Sequence, residues 1–249
     1  MKKCIYYLLL CFVCLSSYHA AAQTNKGSTE GLHIVYSYAP HFFSKPSEVH
    51  AYFSGAMNLF QEYKPLRVYT PEGAEGGRAR VTEKESFQKV CIDYLKKEIT
   101  YERAFKDSSK IYTKEPFMDL RWEFTGRKKE VLGYPCQEAV LTKAEVKRHP
   151  LLAYDDIPEY HFWYTTAIPA KDGYLFFTGL PGAVLQIEYP DPSSGELHRM
   201  LEAKKVEKQP FPAAVCQSLT EGLRVASIQE AYYWNFYQKY IGKSKKKKK

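Results

Sequence analysis

Tyr174-Leu175-Phe176-Phe177-Thr178-Gly179-Leu180-Pro181-Gly182-Ala183-Val184-Leu185-Gln186-Ile187-Glu188-Tyr189 is the stretch whose reading decides the fold. Proline fixes φ near the value needed at the second position of a tight turn, and glycine accepts the positive φ of a type II third position. Residues 180–183 therefore read as a chain reversal with Pro181 and Gly182 at its centre. After it, Leu185, Ile187 and Tyr189 face one way while Gln186 and Glu188 face the other, the period of a half-buried strand. Before it, residues 174–178 read as a second strand.

The same signals recur outward from this point. Leu32, Ile34, Tyr36 and Tyr38 alternate with His33, Val35 and Ser37, a strand pattern. Residues 51–63 read as one strand with a bulge at Gly55, and 66–69 as a short strand. Residues 87–95 and 99–105 read as two arms of a hairpin, although Phe87, Val90, Cys91, Tyr94 and Leu95 also suit a helix face. Further strands are expected at 120–124 around Trp122, then at 128–132, 137–143, 160–166 and 198–206. Short strands separated by turn residues favour an antiparallel sheet over βαβ units. The expected fold is mainly β, a single antiparallel curved sheet or half-open barrel. A C-terminal helix is expected over 218–240, where Leu223, Ser227, Ala231, Trp234 and Tyr237 fall on related turns.

The ends read differently. Lys2 and Lys3 precede an apolar stretch, and Ala20-Ala21-Ala22 offers a cleavage site before Gln23, so residues 1–22 read as a Sec-type signal peptide. The apolar run is short for a membrane span, and the residues before Cys11 and Cys14 suit a lipid-anchor signal poorly, so a soluble exported chain is expected. Of the formal net charge of +8, two charges sit in that leader and six are the lysines at 243 and 245–249. The single domain expected at 23–242 is formally neutral, which gives no support to nucleic-acid binding. The lysine tail, 243–249, reads as disordered through self-repulsion. Three of the six cysteines lie in the leader, leaving Cys91, Cys136 and Cys216. An oxidising compartment permits one disulfide and leaves one thiol, and spacing does not choose among the pairings.

Chemistry is sparse. No nucleophile-elbow, zinc-protease, phosphate-loop or dinucleotide motif is present, and no cofactor is implied. The nearest thing to a site is Asp155, Asp156, Glu159 and His161. Extended backbone would place Glu159 and His161 on one face, where a carboxylate and an imidazole can ligate a metal or exchange a proton. The bland reading is a solvated acidic loop entering a strand. Cys136 reads as a disulfide partner or a small buried hydrophobe before a reactive thiol.

The residues together resemble the GLPGLI family of exported Bacteroidota proteins. The naming motif appears as Gly179-Leu180-Pro181-Gly182-Ala183-Val184, with Ala183-Val184 in place of Leu-Ile. Its other elements appear in the same order: Trp122, then Gly133-Tyr134-Pro135-Cys136, then Trp163-Tyr164-Thr165 with Ile168-Pro169. The resemblance covers roughly residues 88–190 and implies a periplasmic, outer-membrane-associated or secreted protein. It also implies an outer-membrane receptor of the TonB-dependent kind as a partner, and no catalytic residues. Two readings follow. The first is a non-enzymatic envelope protein whose aromatic sheet face holds an apolar ligand or a partner's surface, with a lipoprotein-carrier-like half-barrel as an architectural analogue. The second is a metal-dependent hydrolase or metal-binding protein centred on residues 155–161.

Overall fold

A computed structural model describes residues 30–39, 45–68, 80–105, 109–118, 120–149, 157–170, 174–192 and 194–232. The chain divides into two compact units, 1–30 and 31–249, and the elements below belong almost wholly to the second. Residues 1–22, expected to be a signal peptide, the lysine tail, Asp155 and Asp156 lie outside the described residues.

The strands are β1 (Glu30–Tyr38), β2 (Ser47–Phe53), β3 (Met57–Val68), β4 (Arg80–Asp93), β5 (Glu98–Ala104) and β6 (Lys110–Pro116), then β7 (Glu123–Val131), β8 (Tyr134–Leu141), β9 (Tyr160–Thr165), β10 (Ala183–Pro190), β11 (Leu197–Pro210) and β12 (Leu223–Arg224). Helices α1 (Lys143–Arg148), α2 (Ala213–Ser218) and α3 (Ile228–Tyr232) are short. All twelve strands join one open sheet in the order β12-β6-β5-β4-β3-β2-β1-β11-β10-β9-β8-β7. Two meanders, β1 to β6 and β7 to β11, thus meet at a seam between β1 and β11. β12 pairs parallel to β6; the pairs within the β1–β6 meander and from β7 to β10 are antiparallel, as is β10 with β11.

Alternation along each strand gives the sheet two unlike faces. One row of facing residues runs Ile34, Ala51, Phe60, Val90 and Tyr101 across five strands, every member buried. The neighbouring row on the reverse side runs His50, Gln61, Lys89, Glu102 and Tyr112. The second meander repeats the pattern. Ala139, Phe162, Ile187 and Leu201 face one way, and Val140, His161, Glu188 and Arg199 the other.

The apolar face is covered by the chain itself. Ile168, Ala170, Tyr174, Leu175, Phe176, Phe177 and Leu180 all join the buried core with the sheet's apolar residues. The Phe177 ring lies 4.9 Å from Phe162, Phe176 lies 5.7 Å from Tyr101, and Tyr174 lies 5.7 Å from Phe60. Each large side chain buried this way contributes about 1.5–3 kcal/mol. This changes the reading of residues 174–178. They form a turn, with Phe177 N–H donating to the Tyr174 carbonyl and Leu175 at φ 53°, and not a strand. Four consecutive apolar residues here are all buried, which a half-exposed strand does not allow.

The turn that follows also differs from expectation. The positive φ is at Gly179 (+94°), not at Gly182, so Gly182 does not occupy the third position of a type II turn. Gly182 is required for a different reason: a Cβ there would lie 2.2 Å from the Thr165 carbonyl oxygen. Gly179 faces Trp122, whose indole Nε1–H donates to the Thr178 carbonyl at 2.9 Å.

Other boundaries shift for local reasons. Residues 51–63 form a hairpin, because Ser54 Oγ closes a turn onto Met57 where a bulge was expected. Residues 120–122 precede β7 and are not extended into it; β8 stops at Leu141 and α1 follows where the strand was expected to continue to residue 143. The expected helix over 218–240 is broken. Gly222 sits at φ +134° against the Lys110 carbonyl, and α3 starts afresh with Glu230 N–H donating to Ser227 Oγ and Ala226 N–H to the Glu230 carboxylate. Residues beyond 232 lie outside the described part.

The disulfide joins Cys91 of β4 to Cys216 of α2 and leaves Cys136 free and buried. With Leu59, Phe211 and Leu219 it forms a small second cluster.

Gly179→Ala and Gly182→Ala are each expected to lower stability by about 1–3 kcal/mol, while Gly55→Ala, with open space around its Cβ position, stays within about 0.5 kcal/mol. Urea midpoints read this directly. Cys216→Ser is expected to cost about 2–5 kcal/mol because it opens a loop spanning 125 positions. The same melts with Cys136→Ser give the comparison for a thiol outside the bridge.

Candidate functional site

Two places concentrate unusual chemistry, one on the polar face of the second meander and one beneath the cover on the apolar face, where β5 and β6 contribute. On the polar face, β8, β9 and β10 set Glu138 opposite Trp163, and Glu188 opposite His161. Glu138 is almost wholly buried. One of its oxygens accepts from Thr125 Oγ1 and Arg127 Nε, both at 2.5 Å, and the other faces His161 Nδ1 at 3.0 Å. Burial alone would raise this carboxyl, but the hydrogen bonds from Thr125, Arg127 and His161 outweigh it and hold the group below its ordinary value. Glu188 accepts from Trp163 Nε1 at 2.9 Å and Lys129 Nζ at 3.1 Å, and from the Gln186 amide on its other oxygen. Lys129 also rests over the Trp163 ring, 4.1 Å from its centroid. Both carboxylates thus have donors on each oxygen.

Glu159 and His161 do come together, with a Glu159 oxygen 3.1 Å from His161 Nε2. The other ring nitrogen is engaged by Glu138, a partner that the sequence reading missed because it lies 23 residues away on the adjacent strand. The imidazole is therefore flanked by carboxylates on both sides. Among the described residues no group of three or more His, Cys, Asp or Glu is arranged to hold a metal ion.

On the apolar face, the second place is where the cover meets the sheet. A cavity of about 20 Å³, room for about one water, is lined by Ile99, Glu115, Met118, His149, Phe176 and Ile228. The His149 ring stacks on Phe177 at 5.1 Å and tilts toward Phe176 at 6.4 Å. Burial in this apolar setting pushes its pKa down to about 4, so the ring is neutral at pH 7.

The residues of the family-like motifs have identifiable structural work. Trp122 caps Phe162 edge-on at 4.8 Å. Leu132 and Gly133, both at positive φ, make the two-residue hairpin between β7 and β8. Tyr134 follows as the first residue of β8 and packs against the core. Tyr164 O–H donates to Gln137 at 3.1 Å. Cys136 lines an open groove of about 430 Å³ with Lys128, Lys129, Gln137 and Thr166. Its thiol is pushed up to about 11 by burial, so it is not a thiolate at neutral pH.

No family model matches the chain, and no curated protein matches it. Solved structures do. PNGF-II in a C2 crystal form is similar at a TM-score of 0.54 and 16% identity, over 82% of this chain and 33% of that one. Its P21 form is similar at 0.54 and 15%, over 80% and 32%. This chain thus spans about a third of the length of PNGF-II, and at such identity the likeness is one of fold. A LolA superfamily protein from Nitrosomonas europaea superposes at a TM-score of only 0.26, with 8% identity over 75% of this chain and 88% of that one. No helix among the described residues is long and apolar enough to cross a membrane.

His149 gives a pH dependence with a definite sign. Its pKa is lowered on folding, so the unfolded chain binds the extra proton first. The stability it confers is complete above about pH 6.5 and is lost as pH falls through about 4. Thermal melts across that window should show a fall of the order of 3 kcal/mol, and His149→Phe should remove that part of it. Equal pH profiles for the two proteins would contradict this environment.

Proposed function

We propose that this chain is a non-enzymatic binding protein, and that an apolar ligand seats between the sheet's aromatic face and the cover formed by residues 166–170 and 174–182. The observation that carries this is the construction of the cover. Tyr174 to Phe177 lie outside every strand of the sheet and close over Phe60, Tyr101 and Phe162 mainly by ring contacts. A layer held by contacts of that kind, without strand pairing, can be exchanged for an acyl chain or another apolar group at small cost in backbone hydrogen bonds. The small cavity beside His149 marks where packing is already incomplete.

The polar face supports a non-catalytic reading. A general acid needs a raised pKa and a reachable proton, whereas Glu138 is held ionised and both its oxygens are occupied. His161, with a carboxylate at each nitrogen, fits a structural ion-pair network. The leader and the resemblance to the GLPGLI family support export and a role in the cell envelope. An outer-membrane receptor is the partner that this placement suggests.

The test uses N-phenyl-1-naphthylamine, whose fluorescence rises in apolar surroundings. Saturable binding to the mature protein is expected. Phe176→Ala, which enlarges the cavity, should tighten it about tenfold while near-ultraviolet circular dichroism stays native. Absence of saturable binding to either protein would overturn the proposal.

A further inference from the structure

A separate cluster lies on the polar face of the first meander, at the seam. His33 of β1 and His50 of β2 are diagonal neighbours, since His33 is opposite Tyr52 and His50 is opposite Val35. His33 Nε2 and His50 Nδ1 face each other at 2.9 Å. The outer nitrogens each meet a carboxylate, His33 Nδ1 on Glu207 at 2.9 Å and His50 Nε2 on Glu48 at 2.7 Å. Tyr52 stacks on His33 at 4.5 Å, and Tyr63 meets His50 edge-on at 4.9 Å. The rings are thereby fixed in orientation.

The proton count in this row is constrained. A carboxylate only accepts, so Glu207 and Glu48 each require an N–H on the ring they face. Two neutral imidazoles have just those two N–H groups to give. The inner nitrogens then oppose lone pair to lone pair at hydrogen-bond distance, which is repulsive unless a cation lies between them. Either one proton is shared there, or a metal ion takes its place. Outer N–H groups held by carboxylates are the usual support of metal-ligating histidines: they fix the tautomer and raise the basicity of the inner nitrogen.

We infer that His33 Nε2 and His50 Nδ1 form a two-histidine site for a divalent transition-metal ion, Cu(II) foremost. The distance selects the metal class. With metal–imidazole bonds of about 2.0–2.1 Å, a 2.9 Å separation subtends roughly 90° at the ion. That is the angle between neighbouring ligands of a tetragonal or square-planar ion, whereas tetrahedral zinc asks for a wider one. Solvent supplies the remaining ligands. Binding exchanges the shared proton for the metal: the metal ion and the singly protonated pair give the bis-imidazole complex and one free proton. Uptake therefore weakens in acid. The charged groups facing the pair are Glu48, Glu207 and Lys205, the last bound to the far oxygen of Glu207 at 2.6 Å.

The test titrates Cu(II) into the full chain, followed by calorimetry and electron paramagnetic resonance. One equivalent should bind, with hyperfine structure from two nitrogens, followed by Ni(II) and then Zn(II) in falling affinity. His50→Asn, at the more exposed ligand, should weaken Cu(II) binding at least 100-fold with an unchanged melt. Glu48→Gln should weaken it about 10–100-fold, while His161→Asn, whose ring is flanked by carboxylates but lacks a second imidazole, should bind as the parent does. Undiminished binding by both His50→Asn and His33→Asn would overturn the site, as would no stoichiometric uptake by the parent.

Discussion

The apolar face of the sheet must be kept from water, and everything else in this chain is arranged around the way that is done. Twelve strands with alternating side chains give a broad field of Ile, Val, Phe and Tyr on one side. Among the described residues no second sheet covers it. Residues 174–182, which lead into β10, lie over it instead and place Tyr174, Phe176 and Phe177 on the rings beneath. Their return into β10 must pass close under β9, which is why residue 182 has no room for a side chain. Trp122 and Tyr36 then pin the two ends, one on the Thr178 carbonyl and the other on the Val184 carbonyl at 2.7 Å.

The reverse face solves a different problem. Charged side chains lie on strands packed closely enough to bury Glu138, Glu102 and Glu188. A buried carboxylate without partners costs several kcal/mol. Glu138 accepts from Arg127 and Thr125 and Glu188 from Trp163 and Lys129, while Glu102 has Lys89 and Lys110 at ion-pair distances of 3.6 and 3.9 Å. The register that buries the apolar rows is also what brings these pairs within reach.

Much of this was legible in the residues and some was not, for reasons that can be named. The alternation in 32–38 and 183–189 specifies strands, although 183–189, expected to be half-buried, is buried on both faces with Gln186 and Glu188 included. The run at 174–177 misleads because a short, wholly apolar segment lacks a period that separates a buried strand from a buried loop. The turn pattern singles out Gly182 for a positive φ, but the reason it must be glycine is a carbonyl contributed by Thr165, and no local pattern shows that. The partners of His161 and His33 lie across strands, 23 and 174 residues away. Strand order decides them, and strand order is not written in any one stretch.

The position of the disulfide bears on how the protein reaches its native state. Cys91 pairs with Cys216 and passes over Cys136, which lies between them in the chain. A chain threaded outward from its N-terminus into an oxidising space presents Cys91 and Cys136 together before Cys216 has emerged. The first bridge that an indiscriminate oxidant makes is then the wrong one. Native pairing needs either a delay until β11 has closed the seam or an isomerase to exchange the bridge, and the burial of Cys136 in the finished sheet removes the competing thiol only at the end. On the export route proposed above, maturation of this fold is tied to the thiol-handling machinery of the receiving compartment as much as to the sequence itself.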